Sequence, residues 1–186
     1  MTRTLVLGGA RSGKSALAER LALASGKQVA YVATSRAGDA EMAARIAHHR
    51  EHRPAGWQTI EEATALAARL RELCAPDRLV LVDCLTLWLT NLMFPAGPDE
   101  PGVGPVGLAQ QFIHERAALL EWLDTPATGE VIFVSNEIGL GVVPFGAVSR
   151  AFVDEAGRLN QAVAARCDRV LLVTAGLPLA LKGPPC

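Results

Sequence analysis

Eight consecutive residues, Gly8-Gly9-Ala10-Arg11-Ser12-Gly13-Lys14-Ser15, carry the most readable chemistry in the chain. They fit the pattern G-x-x-x-x-G-K-[ST], the signature of a P-loop when a strand precedes it and a helix follows. Glycines lack a Cβ, so the backbone can curl and turn its N–H groups inward. Those N–H groups and the start of the following helix form a nest for phosphate. Lys14 would then reach the outer phosphates, and Ser15 would hold Mg²⁺. The second feature is Asp83, which closes the apolar run Arg78-Leu79-Val80-Leu81-Val82. An acid at the end of a buried strand downstream of a P-loop has the Walker B role of orienting Mg²⁺; otherwise it is a strand-end cap.

Three histidines, His48, His49 and His52, crowd one short stretch. Two histidines at i, i+4 can share a metal, but no H-E-x-x-H pattern supports one here. A second reading is a solvated helix face. A third is a nucleophile, because imidazole is neutral near pH 7 and can attack phosphorus to give a phosphoramidate. On a helical wheel His49 shares the apolar face of Met42 and Ile46, whereas His48 shares the polar face of Glu41, Arg45 and His52. Geometry therefore favours His48 as the reacting group. Glu61 or Glu62 could accept the N1–H and N2–H₂ donors of guanine, or could simply favour the N-terminus of a following helix. Asn136 and Glu137 are ligand candidates by position, at the carboxyl end of a strand.

The elements that must position these residues follow an α/β rhythm. Thr4-Leu5-Val6-Leu7 reads as a buried strand, and the helix after the P-loop runs to about residue 25. Gln28–Ala33 is a second continuous apolar strand, ending in Thr34-Ser35-Arg36. Asp39 is a good N-cap for a helix to about Arg53, broken by Pro54-Ala55-Gly56. Trp57–Ile60 is a short strand; Leu66, Leu70 and Leu73 mark an amphipathic helix; Arg78–Asp83 is the clearest strand of all. Leu85, Trp88, Leu89 and Leu92 form another helical stripe. Residues 95–107, rich in Pro and Gly, read as a flexible surface loop. Then come a helix over about 108–123, a strand at Glu130–Ser135, a long helix striped by Phe152, Ala156, Leu159 and Val163, and a strand at Arg169–Val173. The tail from Pro178 adds an edge strand or stays loose. Such alternation predicts one α/β domain over 1–186, with a mostly parallel sheet covered by helices on both faces.

Composition narrows the function classes. Half of the 186 residues are apolar, a fifth are charged, and the formal net charge is −1. There is no basic stripe, so nucleic acid is not an expected partner. Cys74, Cys84, Cys167 and Cys186 show no C-x-x-C spacing, and no signal peptide is evident. They read as reduced thiols of a cytoplasmic protein. The apolar run from Leu79 to Phe94 is interrupted by Asp83, Thr86, Thr90 and Asn91, so it reads as a strand followed by a buried helix, with no membrane span.

Taken together, several segments closely resemble the bifunctional adenosylcobinamide kinase / adenosylcobinamide-phosphate guanylyltransferases of cobalamin biosynthesis. They are Gly8–Ser15, Tyr31–Ser35, Asp39–Arg50, Arg53–Trp57, Val82–Thr86, Asn136–Gly139 and Ala156–Gln161. The resemblance covers nearly the whole chain, and the segment around His48-His49 is the most specific part. It implies a trimeric, RecA-like P-loop enzyme that works with Mg²⁺ in the cytoplasm. It implies two reactions. A triphosphate, ATP or GTP, phosphorylates the hydroxyl on the aminopropanol arm of adenosylcobinamide. GMP then passes from GTP to a histidine, matched by His48, and on to the corrinoid phosphate. The resemblance also implies nucleotide contacts at Gly8–Ser15, at Thr34, Ser35 and Arg36, at Glu51, His52, Arg53 and Pro54, and at Glu61 and Asp83. The position of Asp83 is Glu in some members of the family.

Overall fold

A computed structural model describes residues 2–36, 54, 56–95, 110–126 and 128–185. The helix expected over 39–53, with His48, His49, Glu51, His52 and Arg53, lies outside the described residues, as does most of the Pro/Gly-rich segment after 95.

The strands form where apolar residues run without alternation. β1 (Thr2–Gly8) sends Leu5 and Leu7 into one core and Val6 into another, so both faces of the strand are buried. Side chains alternate across a strand, and a run buried on both faces therefore reads as continuously hydrophobic. β2 (Gln28–Ala33) and β4 (Arg78–Asp83) follow the same rule, whereas β3 (Gln58–Glu61) is a short, mostly exposed edge. β5 (Glu130–Asn136), β6 (Arg169–Thr174) and β7 (Leu177–Lys182) complete a seven-stranded sheet of order β3-β2-β4-β5-β1-β6-β7. Every pairing is parallel except β6–β7, a hairpin that makes the tail an antiparallel edge strand. Its turn residues, Ala175 and Gly176, both have positive φ (52° and 79°). Two consecutive positive φ values give the turn whose twist matches the flanking strands.

Helix α1 (Lys14–Ala24) lies on one face of the sheet, where Leu17, Ala18 and Ala22 meet Val6, Tyr31, Leu81, Val134 and Leu171. Helices α2 (Leu66–Leu73), α3 (Leu85–Met93), α4 (Gln110–Asp124) and α5 (Ala147–Arg166) build the larger core with the opposite face. Trp88, fully buried there, donates its indole N–H to Thr64 O at 2.7 Å, so its polar atom is satisfied. Helices thus cover both faces, as the alternation of elements requires. No helix among the described residues is long and apolar enough to cross a membrane.

Candidate active site

The glycine loop leaves the carboxyl end of β1 and enters α1 directly. Gly13 makes the turn at φ 94°, and a Cβ there would press within 3.1 Å of Gly176 Cα in the β6–β7 turn. The same turn fixes the loop from outside: Gly176 N–H donates to Ser12 O at 2.8 Å. Other carbonyls of the loop are also taken by the protein. Glu137 N–H bonds Gly8 O at 3.1 Å, Ser12 N–H bonds Gly9 O at 3.3 Å, and Leu17 N–H bonds Gly13 O at 3.0 Å. The loop therefore turns acceptors into the fold. Its helix start has no side-chain cap, and an uncapped N-terminus leaves N–H donors for an anion. Lys14 reaches back over the loop, with Nζ 3.3 Å from Gly9 O. Ala10 and Arg11 lie at the exposed tip, Arg11 with φ 55°.

Asp83 ends β4, two strands from β1, because β5 lies between them. Register pairs Asp83 with Val134, and Val134 with Val6, so Asp83 stands two residues short of the level of Gly8 and on the α1 side of the sheet. Tyr31, buried, donates its hydroxyl to Asp83 Oδ2 at 3.0 Å and fixes the carboxylate. The next residue, Cys84, reports the local field. Burial pushes its thiol up to about 12, Asp83 adds to the rise, and the Lys14 cation pulls the other way.

Thr34 holds this edge together. Its hydroxyl donates to Cys84 O (2.7 Å) and accepts from Cys84 N–H (2.9 Å), while its N–H bonds Asp83 O (3.2 Å). Its hydroxyl is engaged inside the fold, and Ser35 and Arg36 are the more open members of that turn. Glu61 closes β3, exposed, in register with Ala33 and through it with Asp83. Glu62 takes the helix-end role: its Oε1 accepts from Thr64 N–H (3.0 Å) and Ala65 N–H (2.8 Å) ahead of α2, and Oε2 pairs with Arg69. Pro54, half-buried, accepts from Trp57 N–H.

Ser15, half-buried on the first turn of α1, and Asp83 offer a hydroxyl and a carboxylate, both hard oxygen donors. That donor set fits Mg²⁺, which takes one or two protein carboxylates and completes its shell with water and substrate phosphates.

A buried polar network was not legible in the sequence. Asn160 of α5, Ser135 of β5 and Thr86 of α3 converge on the end of β5. Asn160 directly follows Leu159 of the apolar stripe, and a polar residue in that place is the signal that could have exposed it. A cavity of about 220 Å³, lined by Thr2, Thr4, Ser25, Glu130 and Arg169, lies at the opposite, amino edge of the strands, away from the glycine loop. Parallel α/β sheets bind ligands at the carboxyl edge.

A mostly parallel sheet with a glycine loop, a lysine and a fixed carboxylate at its carboxyl edge defines an α/β enzyme scaffold suited to anionic substrates. A family model described as "Cobinamide kinase / cobinamide phosphate guanyltransferase" matches residues 4–181. The chain belongs to that family, and it is a kinase and guanylyltransferase of cobalamin biosynthesis. It is 57% identical, over 98% of its own length and 99% of the relative's, to the bifunctional adenosylcobalamin biosynthesis protein CobP of Pseudomonas aeruginosa. It is 41% identical to the bifunctional adenosylcobalamin biosynthesis proteins CobU of Salmonella typhimurium and Escherichia coli, over 96% of this chain and 98% of each relative. Among solved structures, an ATPase of the type III secretion system of pathogenic bacteria superposes with a TM-score of 0.54 at 14% identity. That match covers 96% of this chain and 56% of the ATPase, so the chain spans about half its length. The RadB recombinase superposes with a TM-score of 0.50 at 22% identity, over 92% of this chain and 73% of that one. At such identities the likeness concerns the fold alone.

Proposed function

We propose that the chain is a RecA-like P-loop transferase that carries out both reactions at one phosphate cradle, the second through a guanylylated His48. The observation that carries this reading is the Gly8–Ser15 loop, whose carbonyls are engaged by the protein while Lys14 lies at its mouth. In the first reaction the hydroxyl of adenosylcobinamide attacks the γ-phosphorus of ATP or GTP, and the bond to the β-phosphate oxygen breaks. In the second, a neutral nitrogen of His48 attacks the α-phosphorus of GTP. A P–N bond forms, the α–β bridge breaks and pyrophosphate leaves. An oxygen of the corrinoid phosphate then attacks that phosphorus, the P–N bond breaks, and adenosylcobinamide-GDP departs with the histidine restored.

Both steps build charge on a leaving polyphosphate. Lys14 and the N–H groups of the loop and α1 neutralise it in either case, and preorganised donors of this kind act without reorganising. Ser15 and Asp83 would hold Mg²⁺, which supplies further charge neutralisation on the phosphate oxygens. Tyr31 keeps the Asp83 carboxylate oriented. In this reading Arg36, Glu61 and Pro54 belong to the nucleotide site, with the Glu61 carboxylate as the acceptor for the guanine donors. Residues 48 and 51–53 belong to the same nucleotide site in this reading. The active form is a homotrimer in the cytoplasm, an assignment that rests on the family. Adenosylcobinamide incubated with ATP or GTP and Mg²⁺, read by mass, should give first the phosphate and then the GDP adduct. A His48→Ala variant should stop at the phosphate. A variant that still forms the GDP adduct would remove the covalent step.

A further inference from the structure

Asn136 ends β5 beside Gly8, its register partner, and the fold treats its two halves differently. The main chain is clamped. Its N–H donates to Thr86 Oγ1 at 2.7 Å, and its carbonyl accepts from Asn160 Nδ2 at 3.1 Å. Asn160 is itself fixed by Ser135 Oγ at 2.8 Å, and Ser135 meets Thr86 at 3.3 Å. Three buried side chains from two helices and a strand therefore hold a single residue. Its carboxamide receives nothing: Oδ1 is buried without a partner, and Nδ2 donates to no described group. One neighbour shares that condition. Ser12 Oγ is also buried without a partner, and it overlaps the place where a Gly8 Cβ would stand.

In-register residues of a parallel sheet point to the same face. Asn136 therefore leaves the sheet with Val134 and Asp83, on the α1 side. It lies on the strand between the glycine loop of β1 and Asp83 of β4, where the outer end of a bound triphosphate must pass. Buried polar atoms in native proteins are paired, and an exception asks for a ligand or another cause.

We infer that Asn136 is a further catalytic residue that contacts the terminal phosphate of the nucleoside triphosphate through its carboxamide. The inference rests on the P-loop reading above. Phosphate oxygens only accept, so the phosphate takes the Nδ2 end, and Oδ1 is left for the Ser12 hydroxyl proton. The Thr86–Ser135–Asn160 network is then the holder that keeps the carboxamide over the γ-position.

The test is the preference for GTP over GDP, measured by calorimetry on the full chain with Mg²⁺, with α,β-methylene GTP, which cannot pass its GMP to the protein, standing in for GTP throughout. Asn136→Ala should weaken GTP binding by on the order of tenfold, the loss expected for a hydrogen bond to a charged group, with GDP binding within about twofold of wild type. Asn136→Asp, of the same shape but negatively charged, should weaken GTP further. A wild-type GTP:GDP ratio in Asn136→Ala with an unchanged melting curve would overturn the inference. If the Ala variant does not fold, the same ratio in Asn136→Asp decides it. Wild-type protein that binds neither nucleotide would overturn the P-loop reading itself, and the inference with it, so the two failures are distinguishable.

Discussion

Two adjacent glycines should respond oppositely to the same methyl group. Gly8 is buried at the end of β1; a Cβ there would overlap Ser12 Oγ and stand 2.6 Å from Val173 O. The Ser12 hydroxyl can rotate away. Val173 O is backbone of the neighbouring strand β6, so relief requires that strand or the loop to move. Forced overpacking of this kind costs about 1–3 kcal/mol. For a domain of this size that lowers Tm by about 2–12 °C. Because relief displaces Ser12 and the start of α1, Gly8→Ala should also weaken GTP binding beyond what stability explains. At Gly9 a Cβ would meet nothing within 4 Å. Gly9→Ala should therefore leave stability within about 0.5 kcal/mol, or raise it slightly by reducing unfolded-chain entropy. Thermal denaturation of both variants, with GTP titrated into each, makes the comparison. Gly8→Ala with a wild-type melting curve and wild-type GTP affinity would refute the packing argument, as would a Gly9→Ala variant that loses as much stability as Gly8→Ala.

Lys14→Ala should abolish guanylylation and phosphorylation while the melting curve stays near wild type, since Lys14 makes one long hydrogen bond at the surface of the loop; near-normal turnover would remove the loop from the mechanism. Cys84 and Cys167 have thiols pushed up to about 12, mainly by burial. Their folded values lie above the ordinary value of about 9, so the unfolded chain releases these protons first. The stability tied to keeping them neutral is full below pH 9 and is lost as pH rises from about 9 towards 12. Native protein near pH 8 should accordingly resist thiol reagents at both positions, and rapid labelling of either would contradict their burial. Sedimentation at micromolar concentration should give three times the chain mass, and a monomer would count against the trimer.

The sequence was most legible where local physics decides the outcome. β2 and β4 are continuous apolar runs bounded by polar residues, and their ends fall at the expected residues. The stripes of α3 and α4 are buried as their spacing predicts, with Leu85, Trp88, Leu89, Leu92, Phe112, Leu119 and Leu123 all in the core. The glycine loop sits between strand and helix because Gly13 alone can turn at that φ without a Cβ meeting Gly176. Strand order was not legible. Nothing in the run Glu130–Asn136 says that it will lie between β1 and β4, because that choice is made by long-range pairing. The brace from Gly176 to Ser12 spans most of the chain length and depends on a hairpin that the tail only hinted at. Likewise, Glu62 was legible only as one of two acids, and the main-chain donors of Thr64 and Ala65 decide its role.

The proposal of a covalent histidine is tested most directly by labelling. Incubation with α-labelled GTP and Mg²⁺ should place one GMP per chain on the protein and release pyrophosphate. A P–N linkage survives alkali and is lost in acid, the reverse of a base-labile acyl phosphate on Asp or Glu. Peptide mapping should locate the label on His48, and His48→Ala should lose it while the kinase step persists. Label on His49, His52 or Lys14, or no adduct on intact protein with Mg²⁺ present, would contradict the account.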